Sequence, residues 1–119
     1  MVKLYKKGGF YHCYNDDSYI IGYLCDYKII NNRVGFPIRS INKVINTLVV
    51  NKIDYVIYDK DKIIDKYVNK DNRYNNILIK AKSYMDINIR VNKIISNLYR
   101  LDRNKLNRII SYIEEIIDE

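Results

Sequence analysis

The spacing of apolar residues predicts helices in the first half of the chain. Asp16 and Asp17 supply helix N-terminal signals, and apolar residues over 20–25 follow at helical spacing, so a short helix of about ten residues is expected there. Pro37 stands where a second helix can begin. Apolar residues over 41–49 recur at i, i+3, i+4, i+7 and i+8, which predicts an amphipathic helix with one buried face.

Two further apolar stripes, over 87–101 and 106–117, predict a pair of helices at the end of the chain. Asp86 and Asp102 each precede a stripe and can cap the helix that follows. A break in the pattern just before the second stripe makes this pair a helical hairpin. The hairpin, residues 83–119, can pack on the rest of the chain or on a second copy of it.

Short alternating or continuous apolar runs predict the strands of a mixed sheet. The first run carries Gly8 and Gly9 in its middle, where a bulge, a turn or a close backbone approach is expected. Residues 31–35 are typical of a turn-rich loop, and the charged, Asn-rich residues 59–76 predict a second loop with room for a short helix over 61–68. The predicted strands are 2–14, 27–30, 53–58 and 76–82.

Strands that alternate with helices and then give way to paired helices predict an α/β (α+β) fold. We expect a single domain with a mixed β-sheet flanked by helices, ending in the C-terminal helical hairpin. The run over 53–58 leaves no polar face, so it is expected at the centre of the sheet. The α/β core is expected over 1–82, and 119 residues can bury such a core without disulfides.

The formal net charge of +7 favours an anionic partner, which can be nucleic acid, an anionic membrane surface or an acidic protein. A solvated basic surface without a partner is the alternative. The charge is uneven, because residues 1–53 carry eight Lys or Arg against three Asp, a net of +5. Ile, Asn, Lys and Tyr dominate, and these residues have A/T-rich codons. The thirteen tyrosines therefore carry little functional weight by number alone.

The sequence lacks the usual signatures of an enzyme. It contains neither a G-x-x-x-x-G-K-[ST] loop nor a G-x-S-x-G elbow, and Cys13 and Cys25 match no metal or redox spacing. With His12 as the only histidine, one copy cannot assemble a zinc site. Asp16 and Asp17 are explained by helix capping rather than by a nuclease centre. We therefore predict no enzymatic activity, no metal and no cofactor.

We expect no signal peptide and no membrane-spanning segment, because the sequence has neither the pattern of the first nor an apolar run long enough for the second. We expect no membrane partner. The protein is expected to be cytoplasmic, and nucleoid-associated if it binds DNA.

Residues 3–17, KLYKKGGFYHCYNDD, combine a basic strand with an aromatic residue and an imidazole. Successive strand side chains point to opposite faces, so Phe10 and His12 share one face while Tyr11 and Cys13 share the other. The face with Phe10 is either ordinary core or a surface that presents an apolar wedge beside a hydrogen-bonding group.

This stretch resembles the start of the mismatch-recognition domain of the MutS mismatch-repair family. There an extended strand runs through a glycine into Phe-Tyr-Glu and then into an aromatic-x-Asp-Asp helix start. GFPIRSINKVINTLVVNKIDYVIYDK (35–60) is similar to the family's Gly-x-Pro segment with the helix and strand that follow, and LCDYKI (24–29) is similar to the strand before it. The resemblance covers roughly residues 3–60. The matching residues of the first stretch are Gly8, Phe10, Tyr11, Tyr14, Asp16 and Asp17.

The resemblance implies roles for individual residues. The family's Phe enters the base stack at a mismatch from the minor groove, and its Glu hydrogen-bonds the displaced base; Phe10 matches the Phe. His12 replaces the Glu and can still donate or accept a base hydrogen bond. Gly9 replaces the usual Asp, and Arg39 stands where the family often has His. These departures make the expected DNA face more positive, so general DNA affinity is expected to rise and mismatch preference to fall.

We therefore expect a stand-alone MutS-like DNA-binding domain that recognises distorted or mismatched duplex DNA. The family's connector, clamp and ATPase domains have no room in 119 residues, so no ATPase activity is expected. Phe10 would be the wedge, His12 the base contact, and Lys6, Lys7 and Arg39 the phosphate contacts. The residues expected to contact DNA are Phe10, His12, Lys6, Lys7, Gly8, Gly9 and Arg39.

A protein-interaction module is the alternative function. In that case the same fold would bind a repair, replication or nuclease complex, for example as an inhibitor of the mobile-element type. The expected partners are therefore duplex DNA, which can be mismatched or bulged, or a protein of such a complex. A homodimer through 86–117 is a further expectation.

Overall fold

A computed structural model describes residues Met1–Glu119 and divides them into two units, Met1–Met85 and Asp86–Glu119. The fold class is as predicted, since a mixed sheet is combined with four helices. The five strands all lie in the first unit. They are β1 (Val2–Lys7), β2 (Phe10–Tyr14), β3 (Arg33–Pro37), β4 (Tyr55–Asp59) and β5 (Lys62–Tyr67).

The sheet has the strand order β3-β2-β1-β4-β5. The β1–β4 pairing is parallel, and the other three pairings are antiparallel. Residues 2–14, predicted as one interrupted strand, form a hairpin of two strands instead. Gly8 has a φ of +58°, a left-handed conformation that glycine adopts without strain, and this allows the chain to reverse within Gly8–Gly9. The expectation of a turn at the glycines is confirmed.

The core lies on one face of this sheet. The helices that cover it are α1 (Asp16–Cys25), α2 (Ile41–Val50) and the first turns of α3 (Tyr74–Leu98). Along β1–β4, alternate residues point into this core. The strand residues in the core cluster are Val2, Leu4, Tyr11, Cys13, Val34, Phe36, Tyr55 and Ile57.

Several predicted elements are confirmed. Helices α1 and α2 begin and end close to the bounds that the apolar spacing predicted. Strand β4 overlaps the predicted strand 53–58 and extends one residue further, to Asp59. In the sheet it lies between β1 and β5. Asp17 links α1 to α3 and to β1. Its carboxylate accepts hydrogen bonds from the Tyr74 hydroxyl at 2.6 Å and from the backbone N–H of Lys3 at 3.0 Å.

The predictions between α1 and α2 were wrong. Residues 27–30 form no strand and contribute only an isolated bridge between Ile30 and Arg33. The strand of this region is β3, which includes most of the predicted loop 31–35. Its Val34 and Phe36 are buried while Arg33 and Gly35 point away, which is the alternation of an edge strand covered on one face. Pro37 ends β3 at the sheet edge, where no ladder donor is needed, and a single 3-10 turn (Ile38–Ser40) then leads into α2.

Two predictions after β4 were also wrong. Residues 61–68 form no helix; instead β5 pairs with β4 as a charged edge strand. Residues 76–82 form no strand and belong to α3, which starts twelve residues before Asp86, so Asp86 caps nothing. Ile77 and Ala81 are both buried, whereas Ile79, which a strand would place on the same face, is strongly exposed. Only a helix buries the first two residues without the third.

The second unit, Asp86–Glu119, contains the later part of α3 and helix α4 (Arg103–Ile117). Asp102 caps α4 as predicted, since its side chain accepts a hydrogen bond from the N–H of Lys105 at 2.9 Å. None of the residues of α4 is buried. No helix of the structure is both long enough and apolar enough to cross a membrane.

Candidate nucleic-acid interface

The face of the sheet opposite the core is largely open and carries positive charge. Along each strand, the alternate residues that do not point toward the core side of the sheet point to this face. All of them except Val56 are exposed or half-exposed. Among them are basic residues but no Asp or Glu. We call this surface the open face; on β1–β4 it consists of Lys3, Tyr5, Lys7, Phe10, His12, Tyr14, Arg33, Gly35, Pro37, Val56 and Tyr58.

Phe10 projects from the open face at the end of the β1–β2 hairpin. It is the first residue of β2 and pairs with Lys7 of β1 and Pro37 of β3. Its side chain is 49% exposed. A Cβ atom added at Gly8 or Gly9 would meet no other atom within 4 Å, so the space around the hairpin end is open as well. A flat ligand can therefore reach the Phe10 ring without displacing the backbone.

His12 lies beside Phe10, with 6.3 Å between the two ring centroids. Its imidazole lies against Gly35 of β3, where an added Cβ would come within 3.0 Å of both Cε1 and Nδ1. The Nδ1 atom is buried and has no hydrogen-bond partner. Burial, and then the cations of Arg33 and Lys7, lower the pKa of His12 below 6.5. The imidazole is therefore neutral at neutral pH, with one nitrogen that can donate and one that can accept.

A concavity of about 390 Å³ opens next to the Phe10 and His12 rings. Its walls combine apolar rings with two cations, and no carboxylate lines it. This is the mixture that suits a flat, partly polar ring with an attached anion, such as a nucleotide. The lining residues are Phe10, His12, Tyr27, Lys28, Ile30, Arg33 and Gly35.

The tyrosines of the open face pack against one another rather than project from it. Tyr5 stacks on Tyr58 with ring centroids 5.2 Å apart, and it contacts Tyr14 at 5.9 Å. The ammonium group of Lys7 lies 5.8 Å from the centroid of the Tyr14 ring. All three tyrosines are therefore half-buried, whereas Phe10 is the exposed aromatic residue of this face.

The structure brings most, but not all, of the predicted contact residues together. Lys7 is on the open face opposite Phe10, and Arg39 is exposed in the 3-10 turn that follows β3. The N–H of Ile38 donates to the carbonyl of Gly9 at 3.1 Å, so this turn lies at the same end of the sheet as the hairpin. Lys6 points to the opposite face and pairs with Asp59 at 3.9 Å, so it is not part of the open face.

Sequence reasoning missed the residues that surround the concavity beyond Phe10 and His12. Tyr27, Lys28 and Ile30 lie in the segment that was predicted as a strand, and Arg33 lies in the predicted loop. The signal that could have found Arg33 is the alternation of R-V-G-F-P, because a strand there places Arg33 on the same face as His12.

The Cys13 thiol and the Asp17 carboxylate, the reactive groups near this interface, are both engaged in the fold. Burial raises the pKa of the Cys13 thiol to about 12, so it stays protonated, and it points into the core, away from His12. Burial also raises the pKa of Asp17, the carboxylate that Tyr74 and Lys3 hold. No group of three or more His, Cys, Asp or Glu side chains is arranged to bind a metal ion.

No protein-family model matches this chain, and no curated protein matches it either. The resemblance of residues 3–60 to the MutS mismatch-recognition domain stays a prediction.

Proposed function

We propose that this protein binds DNA through the open face and recognises distorted or mismatched duplex, with Phe10 as a wedge that enters the base stack. The observation that carries the proposal is the exposed Phe10 ring at the hairpin end. It projects from the open face, which on β1–β4 has basic residues and no carboxylate. Phosphates are attracted to such a face, and an apolar side chain inserted at a base step is a known device of minor-groove binding.

The packing of the aromatic residues favours a wedge over a stacking platform. A platform for single strands stacks successive bases on several exposed rings. Here Tyr5, Tyr14 and Tyr58 are half-buried in one another, and only Phe10 offers a free ring. One inserted ring unstacks one step, at a cost that is lowest where base pairing is already faulty.

The concavity beside Phe10 provides a place for the displaced base. His12 would read that base, since its neutral imidazole lines the concavity and has one nitrogen that can donate and one that can accept. Lys28 and Arg33 line the same concavity and would hold the neighbouring phosphate.

His12 also determines how selective the protein is. A carboxylate at this position, as in the family that residues 3–60 resemble, would repel the phosphates of an intact duplex. A neutral imidazole does not, so binding to matched duplex is penalised less. His12→Glu is expected to lower the affinity for matched DNA and to widen the ratio between mismatched and matched DNA.

A mobility-shift comparison of matched, mismatched, bulged and single-stranded DNA tests the proposal. Phe10→Ala should weaken binding to mismatched and bulged duplex by roughly 5- to 150-fold, the equivalent of about 1–3 kcal/mol for one stacking contact, and should affect matched duplex less. Tyr99→Ala, which removes another exposed aromatic ring, is the matched control and should bind as the wild type does. Equal binding of all four DNAs by wild type and Phe10→Ala would refute the wedge.

A protein-interaction module that binds a repair, replication or nuclease complex is the second candidate function. The observation that favours it is the exposed apolar side of α4, because large apolar patches on a protein surface mark interaction sites. Failure of the wild-type protein to bind any of the four DNAs would favour this candidate.

A further inference from the structure

Helix α4 is an amphipathic helix whose apolar stripe is not buried. Six apolar residues recur along it at i, i+3, i+4 and i+7 spacing, and the later ones are strongly exposed, from 40% at Ile113 to 74% at Ile117. A helix of fifteen residues is marginal by itself in water, since its stability comes from packing its apolar face. The stripe consists of Leu106, Ile109, Ile110, Ile113, Ile116 and Ile117.

The charges of α4 are segregated along its axis. Arg103, Lys105 and Arg108 lie in the first half, which contains no acidic residue, whereas Glu114 and Glu115 lie in the second half, which contains no basic residue. Asp118 and Glu119 extend the acidic end. This order opposes the helix dipole, which favours acidic residues near the N-terminus and basic residues near the C-terminus. The stability of an isolated helix therefore does not explain it.

An antiparallel pair of α4 helices explains both the exposed stripe and the order of the charges. We propose that α4 binds α4 of a second copy of this chain, antiparallel and about a two-fold axis. The basic half of each helix then lies alongside the acidic half of the other, twice by symmetry, and the two helix dipoles oppose each other. A parallel pair would instead place like charges together.

The apolar spacing fits the same arrangement. With the two-fold axis level with Ser111, Leu106 of one copy faces Ile116 of the other, and Ile109 faces Ile113, as in the layers of an antiparallel coiled coil. Lys105 then lies on the flank of the stripe next to Glu119 of the second copy. Charge and apolar pattern thus agree on one register. This inference does not depend on the proposed DNA binding.

Charge reversal tests the pairing. Arg103→Glu with Lys105→Glu reverses the two basic residues that flank the stripe, and Glu114→Lys with Glu119→Lys reverses the two acidic residues that face them in the proposed pair. Each double variant is expected to raise the dimer dissociation constant at least about tenfold, because like charges then face each other across the interface. An equimolar mixture of the two should form a heterodimer, because the complementarity is restored. Lys70→Glu with Lys80→Glu, at exposed residues outside α4, gives the same change in net charge as the first double variant and is its control.

Sedimentation equilibrium of the full chain provides the readout. The proposal predicts a dimer for wild type and control, monomers for each charge-reversed variant at the same concentration, and a dimer for their mixture. A wild-type protein that is monomeric at its highest soluble concentration would overturn the proposal, even if α4 binds a different protein. It would equally be overturned if both charge-reversed variants were as dimeric as the wild type, or if their mixture stayed monomeric.

Discussion

Replacing Phe10 and Phe36 separately by alanine tests whether the Phe10 ring belongs to the surface or to the core. Phe36 is fully buried and stacks with Tyr11 and Tyr27 at centroid distances of 5.8 and 5.4 Å. Truncating a buried phenylalanine of this kind costs about 3–5 kcal/mol, because a cavity remains. Phe36→Ala therefore sets the scale for a core position in this sheet.

Phe10→Ala is expected to cost much less. Complete burial of a phenylalanine side chain stabilises by roughly 1.5–3 kcal/mol, and Phe10 is already 49% exposed, so about half of that term, near 1 kcal/mol, is at stake. No closed cavity forms, since the site is open to solvent beside Gly8 and Gly9. The two variants should therefore differ in unfolding free energy by at least about 2 kcal/mol.

Urea unfolding followed by far-UV circular dichroism measures both values. The two variants and the wild type should show the same m-value, so that the shift in midpoint reports the change in stability. If Phe10→Ala loses as much stability as Phe36→Ala, the Phe10 ring is a core residue in solution. The wedge would then have no free ring to offer, and the interaction module would become the better candidate.

Three further perturbations follow from the structure. Lys7→Gln should make the slope of log K for DNA binding against log salt concentration shallower by about one. Lys6→Gln, on the opposite face, should leave this slope unchanged. An equal effect of both would contradict the assignment of faces. His12 has a folded-state pKa below its unfolded value of 6.5, so its contribution to stability is complete above that pH and is lost as the pH falls through the folded pKa. Between about pH 7 and about pH 5, the melting temperature should therefore fall more steeply for wild type than for His12→Asn. Parallel plots of melting temperature against pH would refute this. Tyr74→Phe removes the 2.6 Å hydrogen bond to the half-buried Asp17 carboxylate and should lower the free energy of unfolding in urea by about 1–3 kcal/mol. An unchanged midpoint would show that water replaces the hydroxyl.

The sequence predicted those elements whose pattern is unambiguous. The stripe of α2 runs for more than two turns, and only a helix places Ile41, Val44 and Leu48 on one face, since Ile41 and Val44 would point to opposite faces of a strand. The continuous apolar run that became β4 fits a central strand. By contrast, residues 76–82 combine a short apolar run with apolar residues four apart, so strand and helix patterns coincide there. The burial of Ile77 and Ala81, with Ile79 exposed between them, decides for the helix.

The edge strands and the concavity could not be predicted for related reasons. Strand β3 contains Gly35 and ends in Pro37, residues that locally favour turns, and only pairing with β2 makes it a strand. Strand β5 is charged and exposed, so it lacks the apolar signal of a strand. The concavity depends on β3, because its position places Arg33 and Gly35 next to His12. The shared face of Phe10 and His12, in contrast, needed only the two-residue period of a strand.

The most direct test of the account is whether the protein unstacks a base when it binds. A duplex with 2-aminopurine next to a mismatch reports this, because the fluorescence of that base analogue rises when it leaves the stack. Wild-type protein is predicted to raise the fluorescence on binding, and Phe10→Ala, at a concentration that saturates the same duplex, to leave it low. Saturated binding by wild type without a rise in fluorescence, or the same rise with Phe10→Ala, would contradict the role of Phe10 as a wedge.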